Sequence, residues 1–109
     1  MQRTYAIAEM RWPVDFGRTL DIKRICTPAK FENDSPKSWS LFVRFSQPVK
    51  PGETITVPVT LLVDEEADRL LLPDAKFQLF LKAKLFAPGR IVEVFKVSDC
   101  ELHCIFDVS

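Results

Sequence analysis

The segment that decides the fold of this chain is TITVPVTL, residues 54–61. Isoleucine, valine or leucine occupies every second position, and threonine or proline occupies the positions between, which is the period of a β-strand with one buried face. Pro58 has no backbone N–H to donate, so the strand is predicted to be an edge strand or to be bulged at this residue. The preceding Pro51-Gly52 predicts a turn.

The same alternation recurs along the rest of the chain. It predicts further strands at 3–12, 19–25, 39–45, 77–85, 91–97 and 100–106. Turn-forming pairs lie between these segments, among them Thr27-Pro28 and Pro88-Gly89. About seven short strands with such turns are typical of an antiparallel sandwich or small barrel. Residues 64–72, acidic at their start and followed by a proline, form either one short helix or an extended loop.

The composition indicates one compact domain. The 109 residues fit a single domain spanning 1–109, and 47% of them are hydrophobic, which argues against disorder. Fifteen basic and fifteen acidic residues give zero net charge, which disfavours a strongly cationic nucleic-acid or membrane binder. No apolar run reaches the roughly 18 residues of a membrane span. Three cysteines and the lack of a signal-peptide pattern lead us to expect a cytoplasmic protein.

The CELHC motif that starts at Cys100 is the most conspicuous chemical cluster, because zinc sites use cysteine and histidine at short spacing. On the predicted strand, however, Cys100 and Cys104 share one face and His103 points the opposite way, so the three side chains cannot converge. We interpret these cysteines as small core residues and His103 as a surface residue, and a contact between Cys26 and His103 stays open. No phosphate loop, dinucleotide fingerprint, nucleophile elbow or HExxH motif is present. The sequence therefore predicts no enzyme, no bound metal and no cofactor.

Two charged groups are candidate interaction surfaces. The acidic segment consists of four carboxylates: Asp64, Glu65, Glu66 and Asp68. We interpret it as a solvated face that contacts a basic partner. The basic–aromatic strip consists of five residues: Phe80, Lys82, Lys84, Phe86 and Arg90. Cations among aromatic rings are typical of surfaces that bind single-stranded nucleic acid, but lysines also protect an exposed strand from pairing with another chain, and zero net charge favours that interpretation.

A family resemblance rests on three segments that follow one another: VKPGETITV at 49–57, LLLPDAKFQL at 70–79 and PGRIVEV at 88–94. In this order they resemble the third, C-terminal β-barrel domain of the elongation factor Tu family. Residues 16–19, FGRT, take the place of that family's Gly-Gly-Arg loop. The family has a glycine where this chain has Asp74, and a glycine-rich segment where this chain has KAKLFA at 82–87.

The resemblance implies a translation-factor-like barrel that serves as a docking surface. In the family this barrel packs against other domains and helps to contact transfer RNA, but the GTPase domain has no counterpart in these 109 residues, so no nucleotide role is implied. We therefore expect an all-β, six- to seven-stranded antiparallel barrel or sandwich with at most one short helix, which binds another protein without catalysis. An immunity-type or regulatory partner protein belongs to this class. An RNA-binding barrel is the alternative, and no membrane partner is expected.

Overall fold

A computed structural model describes residues 2–34, 37–62, 64–82 and 85–106 of the chain. Its six strands are β1 Gln2–Arg11, β2 Arg24–Phe31, β3 Ser38–Arg44, β4 Thr54–Leu61, β5 Lys76–Lys82 and β6 Leu85–Ser98. Two α-helices, α1 Asp64–Leu70 and α2 Asp99–Phe106, follow β4 and β6. Every strand pair is antiparallel, and the sheet closes into a barrel in the order β1-β4-β3-β2-β5-β6. The prediction of an all-β antiparallel barrel or sandwich is thus confirmed, and of these two alternatives the structure is the barrel.

Strand β1 shows how the alternating sequence builds the core. Its inward positions Ala6, Ala8 and Met10 are buried, whereas Glu9 between them is exposed. The strand pairs with β4 on one side and with β6 on the other, so it is central in the barrel wall. The two inward alanines leave space inside for large side chains from the facing strands. Buried side chains of this kind are Phe31, Leu41 and Leu79, on β2, β3 and β5.

Different elements cover the barrel interior at the two ends of β1. At its start, α1 packs against β1 and β4 and buries Ala67 and Leu70 in the core. Of the two structures predicted for residues 64–72, a short helix or an extended loop, the helix is therefore present over residues 64–70. At its end, the buried Trp12 ring meets Phe16 and Phe45 edge-on, with ring centroids 5.4 and 5.8 Å away. Among the residues that the structure describes, no helix has the length and apolarity needed to cross a bilayer.

The strand seams differ greatly in length. Strand β1 pairs with β6 along residues 2–10, whereas β2 pairs with β5 only along residues 29–31. Just past this short seam, the Thr27 hydroxyl donates a hydrogen bond of 2.5 Å to the carbonyl oxygen of Phe80. A side-chain hydrogen bond therefore joins β2 and β5 beyond the point where their backbone pairing ends.

The proline and glycine positions correct two of the predicted turns and decide between the two alternatives predicted for Pro58. Thr27-Pro28 and Pro88-Gly89 are not turns, because they lie inside β2 and β6. Gly89 is needed for packing instead: a Cβ atom on it would lie 2.4 Å from Cζ of Phe77. Pro58 is not at a bulge, since the pairing of β4 with β1 runs through it without a shift, but it does lie on a locally open edge of β4, as predicted. It is tolerated because the pairing of β4 with β3 stops one residue away, at Val59.

Two of the predicted strands are wrong. Residues 19–23 form no strand, and only an isolated bridge joins Leu20 to Val49. Residues 100–106 belong to α2, where Leu102 and Phe106 are buried four residues apart, the spacing of one helix face. Ser98 caps the start of the helix: its hydroxyl accepts from the backbone N–H of Glu101 at 3.2 Å and donates to the Glu101 carboxylate at 3.2 Å.

Candidate functional site

The basic–aromatic strip is built on the outer face of the β5–β6 hairpin. Phe80 and Phe86 are register partners across the two strands. Their neighbours Leu79 and Ala87 are fully buried, so both rings point away from the core. The rings meet edge-to-face, with centroids 4.9 Å apart and planes at 81°. Phe86 is 39% exposed and is one of the few large apolar side chains at the surface.

A cation from a third strand completes this aromatic pair. The Lys30 ammonium of β2 lies 5.3 Å from the centroid of the Phe80 ring, within the range of a cation–π interaction. Lys30 is absent from the sequence-predicted strip, because nothing in the sequence near residue 30 indicates that β2 lies beside β5. We call Lys30, Phe80 and Phe86 the open cluster.

The remaining strip residues are placed differently. The Arg90 guanidinium donates to the Asp74 carboxylate at 2.8 Å, so its charge is partly neutralised. Both side chains are largely solvated, and such a pair contributes little to stability. Asp74 has φ of +68°, a conformation that favours glycine. Lys82 ends β5, but its side chain and the whole of Lys84 lie outside the described residues.

A groove adjoins the open cluster. It has a volume of about 420 Å³ and shares Lys30 with the cluster. Lys76 and Gln78 of β5 and Pro88 of β6 also line it. The groove extends the exposed surface along the hairpin and adds a second lysine to it.

The acidic segment does not form one free surface. Its described members bond within the chain: the Glu66 carboxylate accepts from Nε of Arg69 at 2.6 Å, and the Asp68 carboxylate accepts from the Thr4 hydroxyl. The side chains of Asp64 and Glu65 lie outside the described residues. Because Glu66 and Asp68 already have partners, we do not place the docking site on this segment.

A second group of aromatic rings lies on the outer face of the barrel, beneath α2. Tyr5 of β1 stacks on Phe95 of β6 at 5.1 Å. Phe106 of α2 meets Tyr5 and Phe42 edge-on, at 6.1 and 5.6 Å. The helix is held at its start by an ion pair of 3.2 Å between Arg3 and Asp99. We call Tyr5, Phe42, Phe95 and Phe106 the covered cluster.

The cysteines do not behave as the strand interpretation predicted. All three are free and exposed, so Cys100 and Cys104 are not core residues. In the described part of the chain, no three His, Cys, Asp or Glu side chains are grouped so that they could hold a metal ion. Neighbouring atoms partly cover the Cys26 thiol on β2, and this desolvation raises its pKa above the ordinary value.

Comparisons with known proteins add no assignment. No protein-family model matches the chain, and a search of curated proteins finds no significantly similar sequence.

Proposed function

We propose that this chain is a non-enzymatic, cytoplasmic protein-binding module with a barrel like the third domain of the elongation factor Tu family. It docks its partner on the open cluster and the adjoining groove. The observation that carries the proposal is the exposed ring of Phe86, packed edge-on against Phe80 beside the Lys30 ammonium. Phe86 is 39% exposed, and among the described residues no carboxylate forms an ion pair with Lys30.

The arrangement matches the anatomy of a protein interface. Energetically dominant interface residues are often aromatic side chains near the centre of the contact, surrounded by polar groups that exclude water. Here Phe86 supplies the aromatic anchor, and the lysines at positions 30 and 76 supply cations at the rim, which also contains Glu32. The complementary partner is a protein with an apolar pocket and acidic residues around it. An immunity-type protein, which neutralises its partner by binding it, is one member of this class.

The ring geometry favours a protein over RNA at this surface. A base stacks on an aromatic side chain only where a ring face is open. One face of Phe80 carries the Lys30 ammonium, and the ring also contacts Phe86 edge-to-face, so Phe80 is a poor stacking platform. Zero net charge also limits the phosphate attraction that RNA binding requires.

The test is quantitative affinity capture from the native host, followed by binding measurements with the purified partner. We expect a stoichiometric protein partner whose affinity for Phe86→Ala falls by roughly tenfold or more. Val92→Ala is the matched control, because Val92 lies on the same strand and is 42% exposed but lies outside the open cluster. Equal binding by Phe86→Ala and by the native chain would rule out this docking site. Recovery of RNA alone, released steeply by salt, would favour the RNA alternative.

A further inference from the structure

Strand β6 extends beyond the end of its neighbour β5. The two strands pair over residues 85–90 of β6, and the adjoining Ile91 still donates to the carbonyl of Ala75 and accepts from the N–H of Asp74, both at 2.8 Å. In the part of the chain that the structure describes, residues 93–98 of β6 pair only with β1, which lies on the opposite side. The β5 side of residues 93–98 is therefore an unpaired strand edge, which we call the free edge.

The backbone groups at the free edge belong mainly to Val94 and Lys96. Residues on one face of a β-strand also direct their N–H and C=O groups to the same side of the strand. The buried, inward-facing Ile91 makes its two backbone bonds on the β5 side. Beyond the bulge that follows it, Val94 and Lys96 are on the inward face as well, since they lie opposite the buried Ala6 and Thr4. Their N–H and C=O groups consequently point out of the free edge, and no backbone partner meets them among the described residues.

The two helices lie on the other side of β6. Helix α1 packs mainly against β1 and β4, and α2 packs mainly against β1, β6 and β3. Around the barrel, β1, β4 and β3 follow β6 on the side away from β5. These contacts therefore do not cover the free edge, and Glu93, Lys96 and Ser98 are exposed.

The free edge also lacks the protection that another open edge of the barrel has. Unpaired edges attract other strands, and proteins block them with residues such as proline. Pro58 occupies the open edge of β4 and has no N–H to offer there. The sequence EVFKVS at 93–98 contains no proline, and its valine and phenylalanine residues favour strands. Its one basic residue, Lys96, is a weaker barrier than proline, because its exposed ammonium stays in water when a strand is added.

We propose that the free edge pairs with the free edge of a second copy of this chain, antiparallel and about a two-fold axis. The registers that pair most of the segment have this axis at Lys96 or at Phe95. An axis at Lys96 opposes two like charges, which is unfavourable. An axis at Phe95 instead places two rings side by side, where they extend the stack of Tyr5 on Phe95. It also sets Val94 of each copy opposite Lys96 of the other, so that these residues exchange both of their N–H···O bonds.

A second copy fits the free edge because the resulting interface closes on itself. Identical edges meet in an isologous contact, so pairing covers both edges and leaves neither for a third chain. The free edge lies beyond the pairing of β5 with β6, whereas the rings of the open cluster lie within it. The proposed dimer therefore does not depend on the proposed docking function.

Analytical ultracentrifugation of the full chain tests the pairing. We expect a monomer–dimer equilibrium with a dissociation constant below about 0.1 mM. Lys96→Pro removes the N–H that points out of the free edge, and we expect it to weaken the dimer by roughly tenfold or more. Lys96→Ala is the matched control: it removes the same side chain, keeps the N–H and is expected to dimerise at least as well as the native chain. Circular dichroism and urea unfolding verify that both variants are folded.

Residue-resolved hydrogen exchange gives an independent measurement on the native chain, which does not require a folded variant. We expect the amides of Val94 and Lys96 to become protected as the protein concentration rises through the dissociation constant. The amides of Phe95 and Val97, which face β1, should stay unchanged.

The proposal is overturned if the chain is monomeric throughout, if Lys96→Pro and Lys96→Ala dimerise equally, or if a dimer forms without protection of the two edge amides. Protection that appears only when a different protein is bound would overturn it too, and would assign the free edge to that protein.

Discussion

The covered cluster and the open cluster are two aromatic groups on the outside of the same barrel. Both contain outward-facing rings from the strands, and both contain edge-to-face ring contacts. In the covered cluster, Tyr5 and Phe95 lie on the adjacent strands β1 and β6, whereas Phe42 lies on β3 and Phe106 on α2. They differ in what packs over them: α2 lies on the covered cluster and buries its own Phe106 there to 1% exposure, whereas Phe86 in the open cluster is 39% exposed. Ring type and strand pattern therefore do not decide which aromatic face is available to a partner. A separate covering helix does.

The comparison has an energetic meaning. Full burial of a phenylalanine side chain stabilises a folded protein by about 2–3 kcal/mol. The covered cluster gains this stabilisation within the chain. The open cluster retains apolar surface that a partner would bury. Truncating a ring of the covered cluster should therefore mainly lower the stability of the fold, whereas truncating a ring of the open cluster should mainly weaken binding of the partner.

The largest expected effect comes from Phe106→Ala. Removing this buried ring leaves a cavity between α2 and the barrel, and we expect a loss of about 3–5 kcal/mol in the free energy of unfolding. Urea denaturation would measure it. Phe86→Ala is the matched control, with an expected loss of about 1 kcal/mol or less, since little beyond the contact with Phe80 is removed. Equal losses for the two variants would contradict the distinction between the clusters.

A smaller effect is expected for Gly89→Ala, which acts beneath the open cluster. The added Cβ would lie 2.4 Å from Cζ of Phe77 and 2.9 Å from Cγ of Met10, so these side chains must shift. We expect a loss of about 1–3 kcal/mol from overpacking.

The double variant Gly89→Ala/Phe77→Leu separates this clash from other effects of the glycine substitution. If the contact with Phe77 causes the loss, Gly89→Ala should cost clearly less in the Phe77→Leu background, as a double-mutant cycle of thermal or urea unfolding would show. An unchanged cost in both backgrounds would mean that Gly89 matters for another reason.

The smallest effect is expected for Ser98→Ala, which removes the cap of α2. The backbone N–H of Glu101 loses its side-chain acceptor, and we expect a loss of about 1 kcal/mol. Hydrogen exchange should also accelerate in α2 before it does in β1. Ser46→Ala, at an exposed bend, is the control and should change neither quantity. Unaltered exchange in α2 would mean that the cap does not hold the helix over the covered cluster.

The main strands were predictable because their inward and outward positions differ in polarity. Residues 54–61 and 3–12 show this alternation clearly, and both lie in the barrel wall as β4 and β1. The helix α2 was missed because Leu102 and Phe106 satisfy a period of two as well as a spacing of four. The pattern Ser98-x-x-Glu101 was the available signal, since serine followed three residues later by glutamate marks the start of a helix.

The candidate site was predictable only in part. Phe80 and Phe86 were named as members of the strip, and their places across the β5–β6 hairpin follow from strand pairing nearby in the sequence. Lys30 was missed because it comes from a strand about fifty residues away, and sequence periodicity carries no information on which distant strands become neighbours.

The sequence by itself determined a single barrel-sized domain and most of its strands, because hydrophobic alternation and β-branched residues act locally along the chain. Only the tertiary structure decided which aromatic face α2 covers, why Gly89 must lack a side chain, and where the wall opens between β2 and β5. Each of these depends on the register between segments far apart in the chain. Barrel closure sets that register, because every strand must pair on both sides while its inward side chains fill one shared interior.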